Sequence, residues 1–252
     1  MILNLQSVTA IARKNAGGAA SGGTVLGHPT LAAKIQNAYK LQTNGTDAKG
    51  GTNLSVVGTT FGGSGGELAT WAIFDGINDM MFTATQLLTG NTYAIEMVIE
   101  VDSGSTSVDR TIFGQVNNNS IQFWLDNGSQ TDTEFVINED YVSGGSWSNR
   151  KKLDNGGISE TTEYHIIYSR NGSAQTAYIS GSAVTLATID GSAASTNLIT
   201  ADRIALGCYP TGATTGVAFT AGKIKFFRVY DDNVTSGEAS DLYNSGSYIP
   251  YD

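Results

Sequence analysis

At 252 residues, with a formal charge of −9 and a pI near 4.6, the chain is long enough for one large β domain, and its acidity excludes a uniformly basic nucleic-acid surface. A single cysteine, Cys208, excludes an intrachain disulfide framework and a Cys-rich zinc site. About two residues in five are Gly, Ser, Thr or Asn and only 15% are charged, which disfavours long helices and suits short strands joined by turns.

Residues 1–36 stand apart. Their stretch NAGGAASGGTVLGHPT is rich in small residues and shows no strand-like alternation. Such a segment buries little apolar area by itself, so it needs a surface to lie on. We expect an N-terminal docking or assembly arm over 1–36, held by another subunit or by its own domain, and one sandwich domain over 37–252. The opening MILNLQSVTAIARKN has no basic start before a continuous apolar core, so no classical signal peptide is read. No apolar stretch is long enough to span a bilayer, so no membrane insertion is expected.

From Ala38 onward, strands and turns alternate. NAYKLQTNGTDAKGGTN reads as a short strand followed by turn chemistry at Asn44-Gly45, and TWAIFDGINDMMFTAT holds two apolar runs around Asp75-Gly76. In TYAIEMVIEVD, Tyr93, Ile95, Met97, Ile99 and Val101 alternate with Ala94, Glu96, Val98, Glu100 and Asp102, which predicts one core face and one acidic, wet face. RTIFGQV, IQFWLD and TEFVIN follow as short strands. NEDYVSGGSWSNRKKLDNGG reads as a long polar loop, and EYHIIYSRNGSAQTAYI as a hairpin turning at Asn171-Gly172. VTLATI, RIALGCY and KIKFFRVY close the series, and Cys208 in the second of these is expected to be a buried, inert thiol. In KIKFFRVYDDNVTSGEASDLYN the apolar phase slips between Ile224/Phe226 and Phe227/Val229, which predicts a bulge or a second contact surface. Thr235 and Glu238 have the spacing of a capping box opening a short helix. Roughly a dozen strands imply an all-β sandwich or jelly roll.

Three segments carry a resemblance. FDGINDMM is similar to the F-D-G-x-N-D motif of the laminin-G-like, concanavalin A-like jelly rolls. EYHIIYSRNGSAQTAYISG resembles the strand pair that these domains write with Trp where Tyr164 stands and Asp where Asn171 and Ser180 stand. GKIKFFRVYDDNVTSGEASDLY resembles their closing signature, with Ala239 in place of the usual Ile. The resemblance covers about Ala38 to Tyr243 and implies a two-sheet antiparallel jelly roll with one short C-terminal helix. That fold serves lectins, adhesion modules, virion proteins and some polysaccharide-degrading enzymes, so it does not select a function.

Hydrolytic members of the superfamily carry E-x-D-x-x-E on one strand; here Glu100 and Asp102 fit, but the third position is Ser105. Glu96 and Glu100 remain as a possible pair, against the plainer reading of a solvated acidic face. Two histidines, His28 and His165, no G-x-S-x-G elbow, no metal-ligand spacing and no phosphate loop leave no other catalytic set, and no catalytic residue is assigned. For binding, the long polar segment offers Tyr141, Trp147, Asn149 and Arg150 as a candidate glycan loop, since rings stack on sugar C–H faces and amides bond hydroxyls. The other reading tucks Trp147 against the sandwich as a strand residue. Asp75, Asn78 and Asp79 are weak candidates for Ca2+, the one cofactor the resemblance allows, and D-G-x-N-D is more simply read as turn chemistry.

These observations lead us to expect a non-catalytic surface protein of a virus particle, most simply of a bacteriophage, as a head decoration, fibre or tail-associated protein. Residues 1–36 would hold other virion proteins or copies of itself, and loops would touch cell-surface polysaccharide. A secreted bacterial carbohydrate-binding or adhesion module, extracellular in location, is the alternative, and a glycoside hydrolase or lyase a second.

Overall fold

The computed structural model describes residues 23–63, 68–88, 90–103, 109–116, 121–126, 134–142, 146–153, 157–190, 203–212 and 214–252; the side chains of 116, 126, 134, 140–142, 146–148 and 190 lie outside that description. In chain order it shows a one-turn helix α1 (Leu31–Lys34), then β1 (Ile35–Tyr39), β2 (Ser55–Val57), β3 (Thr60–Gly63), β4 (Thr70–Asp75), β5 (Met80–Thr83), β6 (Thr92–Val101), β7 (Arg110–Val116), β8 (Ile121–Asp126) and β9 (Glu134–Val142). There follow β10 (Ser146–Leu153), β11 (Glu163–Asn171), β12 (Ala174–Ile179), β13 (Ser182–Val184), β14 (Leu186–Asp190), β15 (Arg203–Leu206), β16 (Tyr209–Pro210), β17 (Gly216–Val217), β18 (Ala221–Tyr230) and helix α2 (Ser236–Tyr243). No helix among the described residues is long and apolar enough to cross a membrane.

Two antiparallel sheets form a sandwich. The first runs β13-β12-β11-β6-β18-β4-β3, with β1 continuing the β4 side of β18; the second runs β14-β10-β9-β8-β7-β15-β5-β2. Between them lies one core that includes Tyr39, Ile95, Met97, Phe113, Phe123, Phe135, Tyr168, Phe227 and Val229. Aromatic rings knit the layers: Phe227 stacks on Tyr39 at 5.8 Å and on Phe113 at 5.5 Å. The all-β jelly-roll architecture expected from the sequence is the one observed.

The phase slip in β18 is a bulge. Ile224 pairs with Ile99 and Phe227 with Met97, so one extra residue is absorbed on β18. Ile224 and Phe227 both enter the core, while Phe226 turns to the other side and packs on Val98 and Tyr248. The Thr235–Glu238 capping box is formed, and Leu242 is fully buried. The Asn171-Gly172 hairpin joins β11 to β12, with Gly172 in the left-handed region at φ 62°.

The acidic side of β6 departs from expectation. Ala94, Glu96 and Val98 are as buried as the core side, and only Glu100 and Asp102 reach water. The cause is remote in sequence: residues 23–36 and the C-terminal segment fold across the outer face of the first sheet. Val25, Leu31 and Ile35 pack with Tyr230, Val234, Leu242, Ile249 and Tyr251 in a second apolar cluster. Val25 N–H donates to Pro250 C=O at 2.8 Å and Leu26 N–H to Tyr251 C=O at 3.1 Å. Thr30 Oγ1 donates to Glu238 at 2.5 Å, and Lys34 Nζ lies 3.0 Å from the same carboxylate. Residues 23–36 therefore belong to the sandwich itself, and a boundary after residue 36 falls inside β1; residues 1–22 of the expected arm lie outside the described residues.

Cys208 is fully buried, with Sγ 3.6 Å from Met80 Sδ, and burial pushes its thiol up to about 12. Because the thiolate is the nucleophile, the native protein is expected to leave a colorimetric disulfide reagent unreacted at neutral pH and to release one equivalent only on unfolding. Rapid stoichiometric reaction of the folded protein would contradict this burial.

Candidate functional site

The segment read as a polar loop is two strands. β9 and β10 pair from Ser146↔Val142 to Lys152↔Val136, and Trp147 stands opposite Tyr141 in the backbone ladder; the side chains of both lie outside the described residues. The other two residues of the expected glycan loop separate onto opposite faces. Asn149 is fully buried and turns into the sandwich, where its Nδ2 donates to Glu139 at 3.3 Å. Arg150 turns outward, its Nε donating to Asn138 Oδ1 at 3.1 Å.

Glu139 is the hub of the inward network. Its Oε1 accepts from the Tyr93 and Tyr168 hydroxyls, each at 2.6 Å, and its Oε2 from Arg170 Nη1 at 3.1 Å and Gln175 Nε2 at 2.5 Å. Burial first, and the neighbouring carboxylate second, hold both phenols well above their usual range. Fully buried, this carboxylate bridges the two sheets and has no lone pair left for a substrate.

The outward side chains form a different arrangement. Gln122 Nε2 donates to Thr111 Oγ1 at 2.7 Å, Asn138 Nδ2 donates to Gln122 Oε1 at 3.1 Å, and Arg150 continues the row. Thus an amide ladder crosses β7, β8, β9 and β10 on the outer face of the second sheet. The half-buried Trp124 lies beside it on β8, with the Arg150 guanidinium 5.7 Å from its ring centroid and its own buried Nε1 lacking an acceptor. Thr111, Gln122 and Asn138 are themselves buried and bonded to one another, so what this face offers an apolar sugar face and its hydroxyls is the half-buried indole and the Arg150 guanidinium. The ribbon β16–β17 walls this face at Gly114, where Pro210 and the backbone of Cys208 and Tyr209 fill the space a side chain would need. Sequence alone read IQFWLD and TEFVIN as strands without marking them as a site; the signal available was Gln122, Trp124 and Asn138 alternating with core residues.

The acidic candidates resolve differently. Glu96 accepts from Arg228, His165 and the Tyr230 hydroxyl, all fully buried beneath the C-terminal segment. Burial alone would raise its pKa, but Arg228 and these donors outweigh it and hold the carboxyl at about 2. Glu100 pairs instead with Lys223 at 2.6 Å. Four residues along a strand span roughly 13 Å, beyond the carboxylate spacing of either glycosidase geometry.

Asp75, Asn78 and Asp79 form the β4–β5 turn. Asp75 Oδ1 accepts from the N–H of Ile77 and Asn78, and Asp79 Oδ2 accepts from Asp75 N–H. Gly76 takes φ 76°, and the turn is completed by Arg110 Nη1 donating to Gly76 C=O. Among the described residues, no group of three or more His, Cys, Asp or Glu side chains converges as a metal site.

No family model matches the chain, and no curated protein matches it in sequence. Similar folds exist among solved structures. Domain 4 of AbnA, a GH43 extracellular arabinanase from Geobacillus stearothermophilus in complex with arabinotriose, is 18% identical with a TM-score of 0.61, over 83% of this chain and 98% of that one. The heptameric SAP-like pentraxin from Limulus polyphemus is 15% identical with a TM-score of 0.53, over 70% of this chain and 82% of its own. The ligand binding domain of botulinum neurotoxin serotype D, in complex with N-acetylneuraminic acid, is 14% identical with a TM-score of 0.60, over 85% of this chain and 51% of its own. The fold is a concanavalin-like jelly roll. At these identities the likeness extends to the fold alone.

Proposed function

We propose that this jelly roll is a non-catalytic glycan-binding module, held to a surface by its chain ends and presenting the outer face of its second sheet. The observation that carries this is the segregation of the two faces. Residues 23–36 and 244–252 close over the first sheet, whereas the half-buried Trp124 and Arg150 lie on the opposite side of the sandwich. A tether joined at residue 23 or at the C-terminal segment would leave the indole on the side away from the anchor. Two structurally similar domains are described in complex with saccharides, arabinotriose and N-acetylneuraminic acid, which supports a glycan as ligand. The burial of Glu96 and its distance from Glu100 support a role without turnover.

In its more specific form, the surface is that of a virus particle, with residues 1–22 contacting other virion proteins or copies of the chain. Low charge and the small-residue N-terminal stretch support that form; an extracellular adhesion module is the alternative. Detection of the chain in purified particles separates the two.

Trp124→Ala tests the binding face. On a glycan array the wild type is expected to give hits in the micromolar range, and the variant to lose them by at least about tenfold, the scale of one stacking anchor. Unchanged binding by a folded variant would overturn the assignment.

A further inference from the structure

In a chain of net charge −9, cations are outnumbered and the described ones are engaged: Lys34 with Glu238, Lys223 with Glu100, Arg170 with Glu139, Arg228 with Glu96. Arg203 is the exception. Among the described residues, it alone of the lysines and arginines has a side chain that makes no hydrogen bond, ion pair or ring contact, and its buried Nε has no acceptor. Its placement follows from the ladder. Ile204 and Leu206 of β15 enter the main core, and Ala205 packs on the opposite side with Met80 and Cys208, so Arg203 shares the outer side with Ala205. Ala205 pairs with Gly114, and Gly114 with Gln122, so this is the face that carries Trp124.

We propose that Arg203 recognises an oxyanion, a carboxylate or sulfate, on an acidic oligosaccharide whose uncharged part lies on Trp124; this rests on the glycan-binding function proposed above. A guanidinium with no partner among the described residues of an acidic protein is free to take a planar oxyanion, which it binds through two parallel hydrogen bonds from its terminal nitrogens. Strand spacing and rise put the backbones of Arg203 and Trp124 roughly 17 Å apart, the reach of an oligosaccharide and not of a single sugar.

Arrays of matched neutral, uronate-bearing and sulfated oligosaccharides test this with wild type, Arg203→Gln and Trp124→Ala. The wild type is expected to bind acidic members at least tenfold tighter than neutral ones at low salt. Arg203→Gln is expected to erase that advantage while leaving neutral binding intact, and the preferred acidic set tells carboxylate from sulfate. An acidic preference that survives Arg203→Gln, or none in the wild type, overturns the proposal while leaving the glycan face standing. If Trp124→Ala changes nothing, the glycan face is lost, and titration of inorganic sulfate and acetate against the Arg203 Nε–H resonance decides the oxyanion site separately. A saturable shift supports it and no shift ends it.

Discussion

Replacing Glu139 with leucine is expected to remove about 3–5 kcal/mol of stability, the cost of leaving a buried charge without its partner. Arg170 would keep its guanidinium inside the sandwich, and two tyrosine hydroxyls, Gln175 and Asn149 would each lose their acceptor. Against a total of about 5–15 kcal/mol for a typical domain, such a loss is visible in any denaturant midpoint. A Glu139→Leu, Arg170→Met double variant is expected to lose less than the two single losses added together, because it removes the uncompensated charge. A single-variant loss under about 1 kcal/mol would mean that water reaches Arg170 and the network is not sealed.

Acid is expected to destabilise the protein over a defined window. Glu96 has a folded value of about 2 against an ordinary 4.5, so the folded state binds fewer protons there than the unfolded chain does. Its contribution is therefore complete above about pH 4.5 and is lost as pH falls towards 2; at neutral pH it amounts to roughly 3 kcal/mol. Burial would raise Glu238, but the Thr235 backbone N–H, Thr30 and Lys34 outweigh it and hold this carboxyl too at about 2, so it titrates in the same window and ties residues 30–34 to α2. Denaturant midpoints measured from pH 6 to pH 2.5 should fall most steeply below pH 4.5. In Glu96→Gln the slope should be shallower and the neutral-pH stability lower, and a slope identical to wild type would refute the role given to Glu96.

Much of the fold was legible because one face of most strands is apolar. TYAIEMVIEV shows its core face in plain alternation, and the closing segment shows both its bulge and its cap. What failed to show had physical causes. The β9–β10 hairpin was hidden because its inward positions at that end are Glu139 and Asn149, so a polar network replaces the apolar alternation that marks a strand. The buried half of the acidic face of β6 was hidden because its cover comes from residues some 70 before and 150 after it in sequence. Of the expected binding residues whose side chains are described, Asn149 and Arg150, only Arg150 takes part in the outward ladder. Trp124 was passed over because a tryptophan between Phe123 and Leu125 looks like core until the sheet gives each its face.

The backbone hydrogen bonds from Val25 to Pro250 and from Leu26 to Tyr251 bring the first and last described segments side by side. From Val25 to Tyr251 the described polypeptide is nearly a closed ring. Such a unit can be spliced into a surface loop of a host protein at little entropic cost, because the host's two strands need not be pulled apart to receive it. By that closure the sandwich from residue 23 onward is expected to tolerate transfer between scaffolds as a single piece.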